Sequence, residues 1–239
     1  MASALWNAAV FLALILPAHA ERASAPPVVV ELFTSQGCSS CPPADAYLGQ
    51  LAHQPGILAL GFHIDYWNYI GWTDPYALPL AAARQRAYVG RLGLHYVYTP
   101  QMVIDGGREV VGSKPKKIAP LLDAARLQAR PGPALTIERR DSGYHIHVGA
   151  GNAVAAATVW LAGIDRQHET KVLRGENEGA TAHDFQVVRS FKSVGNWHGQ
   201  TLDLDVPGDS AAGDEVAVLL QEGGTGHILT AAALSASSS

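Results

Sequence analysis

The chain has 239 residues, 48% hydrophobic and 16% charged, with a formal net charge of −4. This is globular composition, long enough for one large or two modest domains, and it argues against a disordered or fibrous chain. The slight negative charge offers nucleic acid and anionic membranes no electrostatic attraction, and two cysteines are too few for a disulfide-built scaffold.

Residues 1–20 read as an export signal. Ala8 to Leu16 is an unbroken apolar core, and Ala18-His19-Ala20 fits a small-x-small cleavage pattern, with the mature chain starting at Glu21. No Lys or Arg precedes the core, and the uncharged stretch from Ala2 falls short of the ~20 residues a spanning helix needs. The expectation is an exported protein, periplasmic or extracellular, with no stable membrane insertion after cleavage.

Val28-Val29-Val30-Glu31-Leu32-Phe33 predicts a buried strand, and Thr34-Ser35-Gln36-Gly37 a polar turn. Cys38-Ser39-Ser40-Cys41 follows, opening an amphipathic helix with Cys41, Ala44, Leu48 and Leu51 on one face. Cysteines three apart at a helix start can bond or part with little backbone movement, and free N–H groups there favour thiolate. Cys38, next to Gly37, is expected to be the exposed nucleophile and Cys41, a turn inward, to resolve the mixed disulfide. A purely structural bridge here would stabilise by only roughly 2 kcal/mol, against ~4.7 for a 100-residue loop. Structural zinc would need about four ligands, and haem attachment a His where Pro42 stands. Because Pro42 and Pro43 suit only a first helical turn, a helix starting at Pro42 would leave Cys38 outside it.

Ile57 to Ile64 predicts a second buried strand. It ends in His63, Asp65, Tyr66 and Trp67, at the sheet edge where ligands gather in α/β folds. Tyr66 and Trp67 are candidate substrate contacts, or else aromatics packed beneath a capped strand end. His63 could join Cys38 and Cys41 as a soft-metal ligand. A helix from Pro79 to about Arg91, a strand Gln101–Asp105, a Gly106-Gly107 turn, a strand Glu109–Val111 and a helix capped by Ser113 complete this part. Pro131-Gly132-Pro133 marks a boundary. Beyond it, Leu135/Ile137, Tyr144/Ile146/Val148, Leu202/Leu204/Val206 and Val216/Val218 alternate with polar residues, predicting a small β-sandwich. Arg174-Gly175-Glu176-Asn177, Val187-Val188-Arg189 and Gly195-Asn196-Trp197 read as turns and core packing, and His145 and His147 as one solvent-facing strand face.

The order β-α-β-α-β-β-α over residues 28–128, with a dithiol after the first strand and Thr99-Pro100 before the third, resembles thioredoxin. Glu31-Leu32-Phe33-Thr34-Ser35-Gln36-Gly37-Cys38-Ser39-Ser40-Cys41-Pro42 and Asp65-Tyr66-Trp67 are more closely similar to a family of secreted bacterial proteins of unknown function with a thioredoxin-like domain. The resemblance implies that Pro100 is cis and lies against the dithiol. It also implies that Thr99 offers backbone groups to an extended substrate, and that Glu31 is the buried acid that takes the resolving thiol's proton.

The expected organisation is a signal peptide (1–20), an α/β thioredoxin-like domain (21–130), a small all-β sandwich-like domain (131–234) and a disordered tail (235–239). The expected function is thiol–disulfide exchange by Cys38, Cys41, Pro100 and Glu31 on protein or small-molecule thiols and disulfides, with no cofactor. Thr99, Tyr66 and Trp67 would contact the substrate. The alternatives are a copper or soft-metal chaperone using Cys38, Cys41 and His63, and a non-catalytic interaction protein.

Overall fold

A computed structural model describes residues 25–128, 132–152 and 155–234; the expected signal peptide and the 235–239 tail lie outside the described residues. The apolar run forms β1 (Val28–Thr34), and the turn after it leads into α1 (Pro42–Ala52) and β2 (Ile57–His63). Helix α2 (Pro79–Arg91), strands β3 (Gln101–Ile104) and β4 (Arg108–Val111), and α3 (Pro115–Leu127) follow in the expected order. Lys114, not Ser113, is the residue before α3, and no side chain caps it.

Past residue 132 the described residues form seven strands and one short 3-10 turn (Gly208–Ser210): β5 (Leu135–Arg140), β6 (Gly143–Val148), β7 (Ala157–Lys171), β8 (Thr181–Trp197), β9 (Leu202–Pro207), β10 (Glu215–Glu222) and β11 (Ile228–Leu234). The strands do not close into a separate unit. One eight-stranded sheet runs in the order β11-β10-β7-β8-β2-β1-β3-β4, and only β5, β6 and β9 make a second sheet. The sandwich is present, but one of its layers is the far half of the sheet that β1 and β2 begin. Of the expected boundary, Pro131 lies outside the described residues and Gly132 is closely packed, since a Cβ on it would lie 2.2 Å from the Leu229 carbonyl oxygen.

Gly61 makes the junction possible. It is the one β2 residue in register with β8, opposite Val187, and a Cβ there would stand 2.8 Å from the Phe185 carbonyl oxygen. A side chain would force the strands apart.

Side-chain alternation in β1 sorts the helices. Val28, Val30 and Leu32 pack with α1 and α3 through Ala44, Leu48, Leu51, Ile118 and Leu122. Val29 and Phe33 face the other way, toward Ala81, Ala82 and Tyr88 of α2, in a core that also takes Phe191, Ala217 and Leu219 from the C-terminal strands. Buried Arg84 crosses that core. It donates to Glu31 (2.6 Å) and to Gln221 Oε1 of β10 (2.8 Å), and its guanidinium lies 4.6 Å from the centre of the Phe191 ring. The Tyr88 hydroxyl donates to the other Glu31 oxygen.

Candidate active site at the dithiol

Cys38 and Cys41 form a disulfide with their Cα atoms 5.4 Å apart. They sit on a run of three-residue turns in which Cys38 N–H donates to Ser35 O (3.1 Å), Cys41 N–H to Cys38 O (3.1 Å) and Ala44 N–H to Cys41 O (2.8 Å). Helix α1 starts at Pro42, so Cys41 is its N-cap residue and Cys38 lies outside the helix. Consecutive prolines lack the N–H groups an earlier start would use. Ser39 and Ser40 are exposed, whereas Cys38 is 3% exposed and Cys41 fully buried. The expected open nucleophile is therefore covered.

Trp67 and the 99–100 loop join this turn on one side. A Cβ on Gly37 would stand 3.3 Å from Trp67 Cβ, and Trp67 Nε1 donates to Thr99 Oγ1 (2.7 Å). The Thr99–Pro100 peptide is cis. Pro100 is buried near the first turn of α1, since a Cβ on Gly112 would lie 3.4 Å from Pro100 Cβ and 3.2 Å from Ala44 Cβ. Tyr66 turns away, donating to Gln85 Oε1 (3.0 Å). Glu31 is not at the site. Strand parity sends it to the α2 face, where Arg84 and Tyr88 hold its carboxylate.

A buried charged cluster that sequence reasoning missed lies behind the turn. His63, on the α1 face of the sheet, sets Nδ1 2.8 Å from Asp74 Oδ2 and Nε2 3.9 Å from Asp184 Oδ1. The same Asp74 oxygen accepts the Gln36 N–H (2.8 Å), while Gln36 Nε2 donates to Asp184 (2.6 Å). Burial opposes charge on His63, but Asp74, Asp184 and Asp45 outweigh it and raise its pKa to about 9. Burial pushes Asp45 up to about 7, with His63 pulling it back. Burial also acts against ionised Asp74, yet His63 and hydrogen bonds from His63, Gln36 and Tyr76 hold its carboxyl below the usual range. Asp184 is raised, again by burial.

With Asp74 and Asp184 at its two nitrogens, His63 is occupied as an ion-pair partner. The proposed Cys38–Cys41–His63 metal set is not assembled, and no group of three or more His, Cys, Asp or Glu among the described residues has metal-holding geometry. His145 and His147 pair across strands with Asp205 and Asp203, each at 2.8 Å.

The last contributor is the tip of the β7–β8 hairpin, expected to be mere turn chemistry. Its Asn177 amide donates to Gln36 O (2.8 Å) and Cys38 O (3.1 Å), and Glu176 accepts the Ser39 N–H (3.1 Å). The Ser39 hydrogen bonds hold the Glu176 carboxyl below its ordinary range. Nothing local in residues 174–177 signals a partner some 140 positions upstream.

A family model described as "Protein of unknown function (DUF1223)" matches residues 29–221. The chain belongs to the DUF1223 family. This DUF1223 chain is similar to an Agrobacterium tumefaciens protein solved by X-ray crystallography, with 31% identity over 90% of this chain and 97% of that one, and a TM-score of 0.78. HBP35 of Porphyromonas gingivalis shares the fold, with 12% identity, coverage of 90% and 76%, and a TM-score of 0.58. No curated protein matches.

Proposed function

We propose that this DUF1223 protein is an exported thiol–disulfide oxidoreductase whose residues 28–128 are a thioredoxin-like unit. The observation that carries the reading is the Cys38–Cys41 disulfide at the β1–α1 junction, on a turn against which Trp67 packs while donating to Thr99. A stabilising cross-link would close a longer loop, whereas a pair on a tight turn can open with little backbone movement.

In one direction a partner thiolate attacks Cys38 Sγ, the Cys38–Cys41 bond breaks, and Cys41 leaves as thiolate and takes a proton. A second partner thiol then displaces Cys38, so the partner ends as a disulfide and the protein as a dithiol. The reverse sequence reduces a partner disulfide. With Glu31 on the far face, the acid nearest in the chain to Cys41 is Asp45, one helical turn on, its N–H bonded to Cys41 O (3.1 Å). A buried carboxyl that keeps its proton to about pH 7 suits an exchange of protons with the resolving sulfur. Thr99 and Trp67 line the approach for an extended partner.

The test is trapping. Reduced Cys41→Ser protein, mixed with glutathione disulfide or insulin, is expected to form a stable mixed disulfide through Cys38, absent from Cys38→Ser/Cys41→Ser. Failure of reduced Cys38 to form an adduct faster than a free thiol of pKa ~8.5 overturns the proposal.

A further inference from the structure

Beyond residue 166 the β7–β8 hairpin leaves the sheet. Its residues Gln167–Lys171 and Phe185–Thr181 pair only with each other. Gln186, at φ 53°, marks the bend. From there the ribbon runs along α1 toward its N-terminus. Phe185 lies on Gly49, where a Cβ would be 2.8 Å from its ring, and Asp184 receives the Gln36 amide. The tip, Val172 to Ala180, then reaches the redox turn.

The tip is fastened by polar latches and by one buried apolar side chain, Val172, 1% exposed. Asn177 gives its amide hydrogens to Gln36 O and Cys38 O, and Glu176 takes the Ser39 N–H. Turns within the tip present these side chains: Gly179 N–H donates to Val172 O (2.9 Å) and Ala180 N–H to Asn177 O (3.1 Å), with Gly175 at φ 84°. Leu173 is 61% exposed and buries little apolar surface. Beneath the tip a cavity of about 150 Å³ remains between Asn177, Gln36, Pro42 and Asp184. An element held by a few hydrogen bonds and a single buried valine beside a cavity opens locally at lower cost than the sheet it springs from.

We propose that the β7–β8 tip is a latched cap on the redox turn. Asn177 and Glu176 are positioning residues that keep Cys38 covered, and the tip lifts from residues 36–39 before a thiol reaches Cys38 Sγ. The inference rests on the proposed function only in taking Cys38 as the attacked sulfur. It gives the C-terminal strands a part in the exchange reaction, since they set how readily a partner's sulfur gains access.

The experiment follows reduction of the oxidised full-length protein by dithiothreitol, sampled by acid quench and alkylation. One dithiothreitol thiolate attacks Cys38 Sγ and expels Cys41. Its second thiol then displaces Cys38, giving cyclic oxidised dithiothreitol and the protein dithiol. Asn177→Asp, which keeps the shape but sets an acceptor against two carbonyls, is expected to react about tenfold faster than wild type, with hydrogen exchange at the Ser39 amide faster in step. Glu176→Gln, on an exposed side chain, should give about threefold in the same direction and keeps the test open if Asn177→Asp unfolds. Urea midpoints for the variants used must match wild type, which separates a lifted cap from a loosened fold. Rates within twofold of wild type for both variants overturn the cap. Cys41→Ser trapping is independent of it: adducts with unchanged variant rates would remove the cap alone, and accelerated variants without adducts would remove the oxidoreductase reading alone.

Discussion

Replacing His63 by Gln tests the charged cluster behind the redox turn through the pH dependence of stability. Folding raises the His63 pKa from 6.5 to about 9, with burial opposing the shift and Asp74, Asp184 and Asp45 more than offsetting it. The displacement corresponds to about 3 kcal/mol. For a base whose folded pKa is raised, the native state keeps a proton that the unfolded chain releases. The contribution is therefore complete below pH 6.5 and is lost as pH rises through about 9. About 2 kcal/mol of it should disappear between about pH 7.5 and about pH 9.5, a window above the Asp45 titration. Urea unfolding with linear extrapolation at those two pH values, on wild type and His63→Gln, reads the difference directly. Wild type should lose about 2 kcal/mol more than the variant. Equal losses in the two proteins would refute an imidazolium held between Asp74 and Asp184. The site shares the consequence, because Asp74 Oδ2 serves His63 and the Gln36 N–H together. Deprotonating His63 should also speed hydrogen exchange at Gln36.

Two further expectations concern buried acids. Asp45 keeps its proton to about pH 7 in the fold against 3.8 in the unfolded chain, so native stability falls as pH rises through that window. Asp45→Asn should be the more stable protein above pH 7 and lose that advantage below about pH 4 in the same urea assay. Arg84→Met leaves Glu31 buried without its cation and should cost about 3–5 kcal/mol, with much of the loss recovered in Arg84→Met/Glu31→Leu. A single-variant cost under about 1 kcal/mol would show that the pair does not join β1, α2 and β10.

The first seven elements were legible because their signals are local. β1 and β2 are short, mainly apolar runs, Pro79 and Pro115 open their helices, and Gly106-Gly107 closes a hairpin. β5, β6 and β9 showed the period of two that a sheet with one covered face imposes, while Val216 and Val218 marked β10, which is buried on both faces. β7 and β8 did not. The inner half of β7 is covered on both faces, that of β8 mixes buried Val187, Val188 and Phe191 with exposed Lys192 and Ser193, and their outer halves form a ribbon of Gln, His, Glu and Lys against Thr, Ala and His, so each strand carries two patterns. The place of β8 beside β2 depends on Gly61, and a glycine in an apolar run does not name the strand it admits. The site divides along the same line. Cys38, Cys41, Trp67 and Thr99-Pro100 were readable from spacing and resemblance. Asp45 and Asp184 look like solvent-facing polar residues until the ribbon and α1 bury them together.

Glu31 is the instructive misassignment, because strand parity reduces it to a choice between two faces and the position of α1 decides. Val28, Val30 and Leu32 share one face of β1 with Thr34, and Glu31 shares the other with Val29 and Phe33. A helix entered directly after Thr34-Ser35-Gln36-Gly37 must lie on one of these faces. An acid serving Cys41 has to point to that same side, so Glu31 qualifies only if α1 covers Val29 and Phe33. α1 instead covers Val30 and Leu32. That leaves Glu31 to Arg84, and leaves the carboxyl nearest along the chain to the resolving cysteine on the helix itself, at Asp45. Strand parity, a two-residue period, is thus a stronger guide to which acid faces a dithiol than the distance of that acid along the chain.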